Sequence, residues 1–350
     1  MLTRFIDKFI QRVAFVIMLC MMMAACSDSD DDAVGTEDVS VAFTLTVADA
    51  ASTRAENDGW DDYSPAQDGI LNENLVNTDD IIIAIYDDKG NKVDNVEDLR
   101  VTTVSDPSIT GATMYAITGV WRNAKPNVDK AKRVMVIANS NVSAWSDPSL
   151  LTYDLNPGTR KYIPMWGVVK IPATLTLGKQ NKLPNIQMLR AMAKVSVSLR
   201  TDMTTYGYAI GSMTVNNYNT KGYCVPKTFN EVDNTSEVRF ANSLNVLDSH
   251  ADKIALPTTA PLYLPEYDNS GTNPTTITVN LNRNGTLEGT YTLEFRNYDS
   301  DGKPTGSTYP IQRNHYYQYW IYKESGKIIV TLHVRKWNRR IYPETDGIIM

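Results

Sequence analysis

The sequence predicts an all-β protein, and three observations carry that expectation. Short runs of alternating apolar and polar residues recur along most of the chain. Turn residues separate them, with prolines at Pro126, Pro148, Pro157, Pro226, Pro261 and Pro265. Helical periods are few and short; Lys125 to Lys132 has room for about one or two turns. Many strands at modest spacing with few helices point to antiparallel sandwiches or barrels.

The alternation is cleanest from Val39 to Val47, where Val39, Val41, Phe43, Leu45 and Val47 share one face of a half-buried strand. The stretch from Ala48 to Gly59 is small and polar with one basic residue, Arg54, and reads as an exposed loop open to proteases. Ile81 to Tyr86 runs into the turn Asp87-Asp88-Lys89-Gly90. Val134 to Ala138 is a short apolar strand that stops at Asn139, and Val195 to Leu199 alternates. Thr276 to Leu281 and Thr290 to Phe295 flank Asn284-Gly285, a strong hairpin signal. Tyr316 to Tyr322 is aromatic-rich, and Ile328, Val330, Leu332 and Val334 line one face of a last alternating run. No repeat of solenoid length is present. A chain of 350 residues allows about two domains. A boundary near Lys182 to Gln187, containing Pro184, divides the folded part into halves at 55–186 and 187–350.

Composition excludes several classes of function. Hydrophobic content of 42% and charged content of 21% are ordinary for a packed protein. A net charge of −6, with basic pairs only as small as Arg335-Lys336 and Arg339-Arg340, argues against nucleic-acid binding. His250, His315 and His333 are scattered, no CxxC pair exists, and neither a phosphate-binding loop nor a nucleophile elbow is present. Asn297-Tyr298-Asp299-Ser300-Asp301-Gly302 opens like a calcium loop. The position that needs a bidentate glutamate is Thr308, so a hairpin turn is the better reading. Asp61-Asp62 and Asp79-Asp80 read as solvated loop residues rather than a catalytic pair. We expect no enzyme, no metal and no cofactor. The six tryptophans and nineteen tyrosines suit core and rim packing, with a glycan-binding patch as the alternative.

The N-terminus has its own pattern. Arg4, Lys8 and Arg12 precede an apolar run from Val13 to Ala25, which is shorter than the ~20 residues that span a bilayer. Residues 1–25 therefore read as an export signal. Met23-Ala24-Ala25-Cys26 resembles the lipobox of bacterial lipoproteins, in which the cysteine is acylated; Met23 stands where leucine is commonest. Cys20 follows the bulky Leu19 and fits less well. An ordinary secretory signal with an incidental cysteine is the alternative. The acidic run after Cys26, Ser27-Asp28-Ser29-Asp30-Asp31-Asp32, resembles a signal for the outer face of the outer membrane, and it also suits a solvated tether. With Cys20 and Cys26 so assigned, Cys224 is left alone as a buried thiol and no internal disulfide is expected.

Several segments together resemble the fimbrillin, or type V pilin, family of lipoprotein-derived fimbriae. They are Val134-Met135-Val136-Ile137-Ala138-Asn139-Ser140-Asn141, Ile163-Pro164-Met165-Trp166-Gly167 and Leu189-Arg190-Ala191-Met192-Ala193-Lys194-Val195-Ser196-Val197. Leu262-Tyr263-Leu264-Pro265-Glu266, Ile311-Gln312-Arg313-Asn314-His315-Tyr316-Tyr317 and Val330-Thr331-Leu332-His333-Val334-Arg335-Lys336-Trp337 follow in order. The resemblance implies two tandem transthyretin-like β-sandwich domains behind a lipidated propeptide, 26–54. It implies an arginine-specific protease cutting between Arg54 and Ala55, which would release the first strand and open an apolar groove. A C-terminal strand of another fimbrial subunit would then fill the groove by strand addition, giving a head-to-tail polymer. Ile328 to Val334 and the tail Ile341 to Met350 are both candidate donors; Pro343 and Gly347 interrupt the second. Before processing, the lipid would hold the subunit to the outer membrane, and a host or glycan ligand would follow from an adhesive role. A monomeric surface lipoprotein that binds glycans is the competing expectation.

Overall fold

A computed structural model describes residues 35–47, 63–69, 71–105, 113–141, 151–155, 162–226, 230–231, 238–239, 250–256 and 261–341. The first ten strands are β1 (Val39–Val47), β2 (Tyr63–Gly69), β3 (Ile81–Tyr86), β4 (Lys92–Ser105), β5 (Thr113–Trp121), β6 (Arg133–Ala138), β7 (Thr152–Asp154), β8 (Met165–Lys170), β9 (Gln180–Lys182) and β10 (Ile186–Arg190). Eight of them form one sheet in the order β10-β8-β6-β3-β4-β5-β1-β9, and β1 also pairs back onto β10, so seven of the strands close into a ring. The resemblance implied sandwiches here; closure is possible because β4 turns the corner. Its first residues pair with β3 and its later ones with β5, with a register shift between Glu97 and Arg100 and Asp98 at φ 49°. Extra residues in one strand bend it and increase its twist. The expected turn at Lys125 to Lys132 is a 3-10 turn, Val128–Lys130.

The remaining strands are β11 (Met192–Leu199), β12 (Tyr208–Asn219), β13 (Lys221–Tyr223), β14 (Asn230–Glu231), β15 (Val238–Arg239), β16 (His250–Leu256), β17 (Leu262–Pro265), β18 (Thr276–Arg283), β19 (Thr286–Glu294), β20 (Asn297–Tyr298), β21 (Pro304–Thr305), β22 (His315–Glu324) and β23 (Lys327–Ile341). A five-stranded sheet runs β17-β11-β22-β23-β2 and a four-stranded one β16-β12-β18-β19. Asn284 and Gly285, both at positive φ, make the two-residue turn between β18 and β19. Most ladders are antiparallel as expected, but β1–β10, β1–β9, β11–β22 and β2–β23 are parallel. The lone described helix is α1, Thr201–Thr205.

Two hydrophobic cores result. One fills the closed sheet with Val39, Val41, Phe43, Leu45, Ile83, Ile85, Val134, Val136 and Met188. The other joins side chains of the five- and four-stranded sheets, with Val195, Tyr317 and Tyr319 from one and Val215, Ile277 and Val279 from the other. Phe295 meets the rings of Tyr317 and Tyr319 edge-on at 5.3 and 5.8 Å. Ala84, Tyr86, Met135, Ile137, Trp166, Val168 and Leu189 also belong to this second core. Strands β3, β6, β8 and β10 are thus buried on both faces, one face in each core, which explains the nearly unbroken apolar sequence of β3, β6 and β8.

Charged groups are buried where the two cores meet. Arg190 at the end of β10 is fully buried and donates to the Glu73 carbonyl at 3.0 Å, to Asn314 Oδ1 at 2.7 Å and to the Asn74 side chain. The Glu73 carboxylate receives Lys194 Nζ at 2.8 Å and the Tyr263 hydroxyl. Burial, then the neighbouring Glu73 charge, pushes the Tyr263 hydroxyl well above its ordinary value, so it stays a donor. A second buried pair, Arg313 with Glu266 at 2.7 Å, also caps the carbonyls of Tyr223 and Cys224. Cys224 itself is a buried free thiol.

Gly167 decides how closely β8 passes β10. A Cβ there would lie 2.7 Å from the Gln187 carbonyl oxygen and 2.8 Å from an Ile186 side-chain carbon. Gly167→Ala is therefore expected to destabilise the protein by about 1–3 kcal/mol, as overpacking does. At Gly271 a Cβ would meet nothing within 4 Å, so alanine there should be tolerated with little change. Urea midpoints of the two variants check this; equal midpoints would contradict the packing described.

Candidate functional site

The candidate site is the channel that β1 occupies. Its five inward side chains, Val39, Val41, Phe43, Leu45 and Val47, are all buried, none more than 4% exposed. Both backbone edges of β1 are occupied. On one side it runs antiparallel to β5, with Val39 opposite Trp121, Val41 opposite Gly119, Phe43 opposite Ile117 and Leu45 opposite Tyr115. On the other it lies parallel to β9 and β10, from Ser40 opposite Gln180 to Val47 opposite Met188. The gap between those two ladders is bridged by the Leu183 amide, which donates to the Ala42 carbonyl at 2.9 Å. Asn185 completes the edge, accepting from Thr44 Oγ1 at 2.8 Å and donating to Thr46 Oγ1 at 2.9 Å.

Burying five such side chains contributes roughly 8–15 kcal/mol before entropy is charged against it. Withdrawing β1 would bare that apolar surface and two strand edges at once. Bare edges pair readily with another strand.

The start of β1 sits in a polar cradle made by the turn after β5. Asp38, 7% exposed, accepts from Arg122 Nη1 at 2.9 Å and from the Asn123 amide at 2.8 Å. Asn123 adopts φ 49°, which aims its amide back at the strand. Lys125 pairs with Glu37 at 2.8 Å, and its amide donates to the Glu37 carbonyl. Trp121 anchors the turn, fully buried, with its indole N–H on Asp94 at 3.0 Å.

Of the residues singled out from sequence, the β1 set is brought together on one face and buried. Ile328, Val330, Leu332 and Val334 lie in β23, hydrogen-bonded to β22 along its length. Val330 and Val334 are buried in the second core, and Ile328 and Leu332 pack against it. Cys26, Arg54, Ala55 and the tail beyond Ile341 lie outside the described residues. Trp121 and Trp166 are core residues rather than a sugar platform, and Trp60 and Trp145 lie outside the described residues. Asp299 accepts from the amides of Asp301 and Lys303, and Asp301 pairs with Lys327, so that loop is a self-contained turn. Among the described residues no group of three His, Cys, Asp or Glu is placed to hold a metal. Among them, too, no helix is long and apolar enough to cross a membrane. Sequence reasoning missed Asp38, Arg122 and the 178–188 edge. Asp38, directly before the first alternating residue, was the one local signal on offer.

No family model and no curated protein matches the chain. Its fold is nevertheless similar to that of a fimbrial protein of known structure. The tip fimbrial protein Mfa3 from Porphyromonas gingivalis, solved with a C-terminal truncation, is 16% identical with a TM-score of 0.50, covering 86% of this chain and 100% of that one. A fimbrial assembly protein from Parabacteroides distasonis is 15% identical with a TM-score of 0.47, covering 84% and 96%. A fimbrial protein from Bacteroides vulgatus is 12% identical with a TM-score of 0.32, covering 85% and 99%.

The cradle predicts how the hold on β1 varies with pH. The Asn123 amide, then the Arg122 guanidinium, hold the Asp38 carboxyl below its ordinary value of 3.8. Glu37, Asp98, Arg122 and Lys125 are the charged groups around it. A carboxyl with a lowered folded value stabilises fully above its unfolded value and stops doing so as pH falls through the folded one. Amides of β1 should therefore exchange faster in Asp38→Asn than in the parent from pH 7 down to about 4. The difference should close only below that range. A difference that closes between pH 7 and pH 5 would be inconsistent with this assignment.

Proposed function

We propose that this protein is a structural subunit of surface fimbriae, made as a lipoprotein precursor and polymerised by donor-strand exchange. The observation that carries the reading is the position of β1, a strand paired on both edges that closes the sheet. All five of its inward side chains belong to the core of that sheet. A sheet closed by its first strand opens into a groove when that strand leaves. The chain that follows β1 contains Arg54 within a small, polar stretch, which suits an arginine-specific protease cutting before Ala55. In this reading Cys26 carries lipid to the outer membrane, and cutting releases the lipidated segment together with β1. The fold shared with the tip fimbrial protein supports a role at the cell surface. Nothing in the reading calls for catalysis.

The incoming strand comes from another subunit. Ile328–Val334 already contributes to its own sheet and core, which favours the segment after Ile341 as donor. The contact so formed is head-to-tail and does not close, so it propagates a filament. Adhesion to a host or glycan surface follows from that architecture.

Treating the lipid-free precursor with an arginine-specific protease tests the reading. The expected result is a new N-terminus at Ala55 and a ladder of oligomers on gels run without boiling. Arg54→Ala should stay monomeric, and a chain ending at Ile341 should be cut, remain folded and form no ladder. A ladder from Arg54→Ala through the same groove would sink the mechanism. Cut protein that keeps β1 and stays monomeric would favour a lipid-anchored, glycan-binding subunit instead.

A further inference from the structure

The end of β23 carries a second arginine site, and β2 lies along it. We infer that the Arg340–Ile341 bond is a latent cleavage site for an arginine-specific protease, and that β2, pinned through Glu73, keeps it closed. This rests on the arginine-specific processing proposed above and concerns where that cutting stops.

β23 finishes with Arg335-Lys336-Trp337-Asn338-Arg339-Arg340-Ile341. β22 pairs with it only as far as Lys336, opposite His315. From there to Ile341, β2 is the strand alongside it among the described residues. It runs parallel, with Tyr63 opposite Arg335, Gln67 opposite Trp337 and Gly69 opposite Ile341, and two register shifts interrupt the ladder. A protease takes its substrate as an extended chain inside a cleft, and backbone already paired in a sheet does not enter one. Cutting within a folded protein therefore follows the fraction of time the segment stands open. Arg54 belongs to a small, polar stretch of sequence, whereas Arg340 belongs to a strand.

What holds β2 in place lies just past it. Gly69 leads into the 3-10 turn Leu71–Asn74, which contains the fully buried Glu73. The Glu73 carboxylate receives Lys194 Nζ at 2.8 Å and the Tyr263 hydroxyl. Its carbonyl receives Arg190 Nε at 3.0 Å, and Arg190 also donates to the Asn74 side chain. Those partners stand on β11, β17 and β10. Withdrawing the turn would strip Lys194 and Arg190, both buried, of these acceptors, and a buried charge that loses its partner is costly. None of these contacts involves β1. Release of β1 therefore leaves β2 fastened, and the new N-terminal segment stays with the subunit.

Opening of β2 would give the protease the Arg340–Ile341 amide. Hydrolysis adds water across it: the oxygen goes to the Arg340 carbonyl carbon, leaving a carboxylate, and Ile341 departs as a new amine. Residues 341–350 leave with it, and they contain the segment favoured above as donor. A subunit cut at Arg54 alone keeps its tail; one cut at both sites has lost it.

The chain from Ser27 to Met350, treated with an arginine-specific protease, tests this. Mass spectrometry follows release of residues 341–350 beside the appearance of Ala55 as an N-terminus. In the parent, tail release should be about tenfold slower than the cut at Arg54, or slower still. Gln67→Pro, which removes an amide from β2, should speed tail release about tenfold and leave the Arg54 cut unchanged. Tyr263→Phe, which takes one donor from Glu73 and keeps the ring, should speed tail release several-fold. Arg339→Lys with Arg340→Lys, added to Gln67→Pro, should abolish it. A parent that loses its tail as fast as it gains Ala55 would overturn the cover. So would Gln67→Pro and Tyr263→Phe chains that release the tail no faster than the parent. New cuts after Arg100 and Arg122 in both variants would mean general unfolding and would overturn β2 as the device. Resistance at Arg54, with tail release still governed by β2, would overturn the processing reading and leave the cover standing.

Discussion

Most of this structure depends on one strand being paired twice. β1 bonds to β5 along one edge and to β9 and β10 along the other, and only because both ladders exist does the sheet close. Closure protects edges that would otherwise bind other chains, and it encloses a core that an open sheet would leave half wet. The return of the chain through 178–188, the turn at 122–125 and the close pass at Gly167 all serve to fix the walls between which β1 lies. A single element thus seals a sheet that would stand open without it.

The buried charges complement that arrangement. Arg190 stands at the end of β10, one wall of the β1 channel, and hydrogen-bonds to Glu73, Asn74 and Asn314. Isolated buried ions are costly, and here each is satisfied by several partners from distant parts of the sequence. Such a cluster admits one relative placement of the segments it joins. It therefore fixes the wall of the channel without contributing apolar contact to it.

Local pattern made a good part of this legible in the sequence. The alternation of Val39 to Val47 marked both the strand and its inward face, and Asn284-Gly285 marked the β18–β19 hairpin, because each signal is complete within a few residues. Strands β3 and β6 were legible from their apolar runs, while the reason for those runs, burial in two different cores, was not. The parallel pairing of β1 with β10 joins residues some 140 positions apart, such as Leu45 and Ile186, and no local pattern encodes it. The contact between Asp38 and Arg122 was hidden for the same reason. Arg122 is one arginine in an ordinary turn until folding brings Asp38 to it. Ile328 to Val334 was equally readable as a donor or as a core strand, since both need the same alternation; pairing with β22 and burial in the second core distinguish its place in this chain.

Strands β3, β6, β8 and β10 give successive residues to different cores: Ile83 and Ile85 to one, Ala84 and Tyr86 to the other. No linker intervenes along these strands, so the two cores share covalent backbone. Tension applied to one core reaches the other through the peptide chain itself and is divided among several strands. No hinge separates the cores along these four strands, so pulling them apart means breaking the strands' own packing rather than straightening a connector.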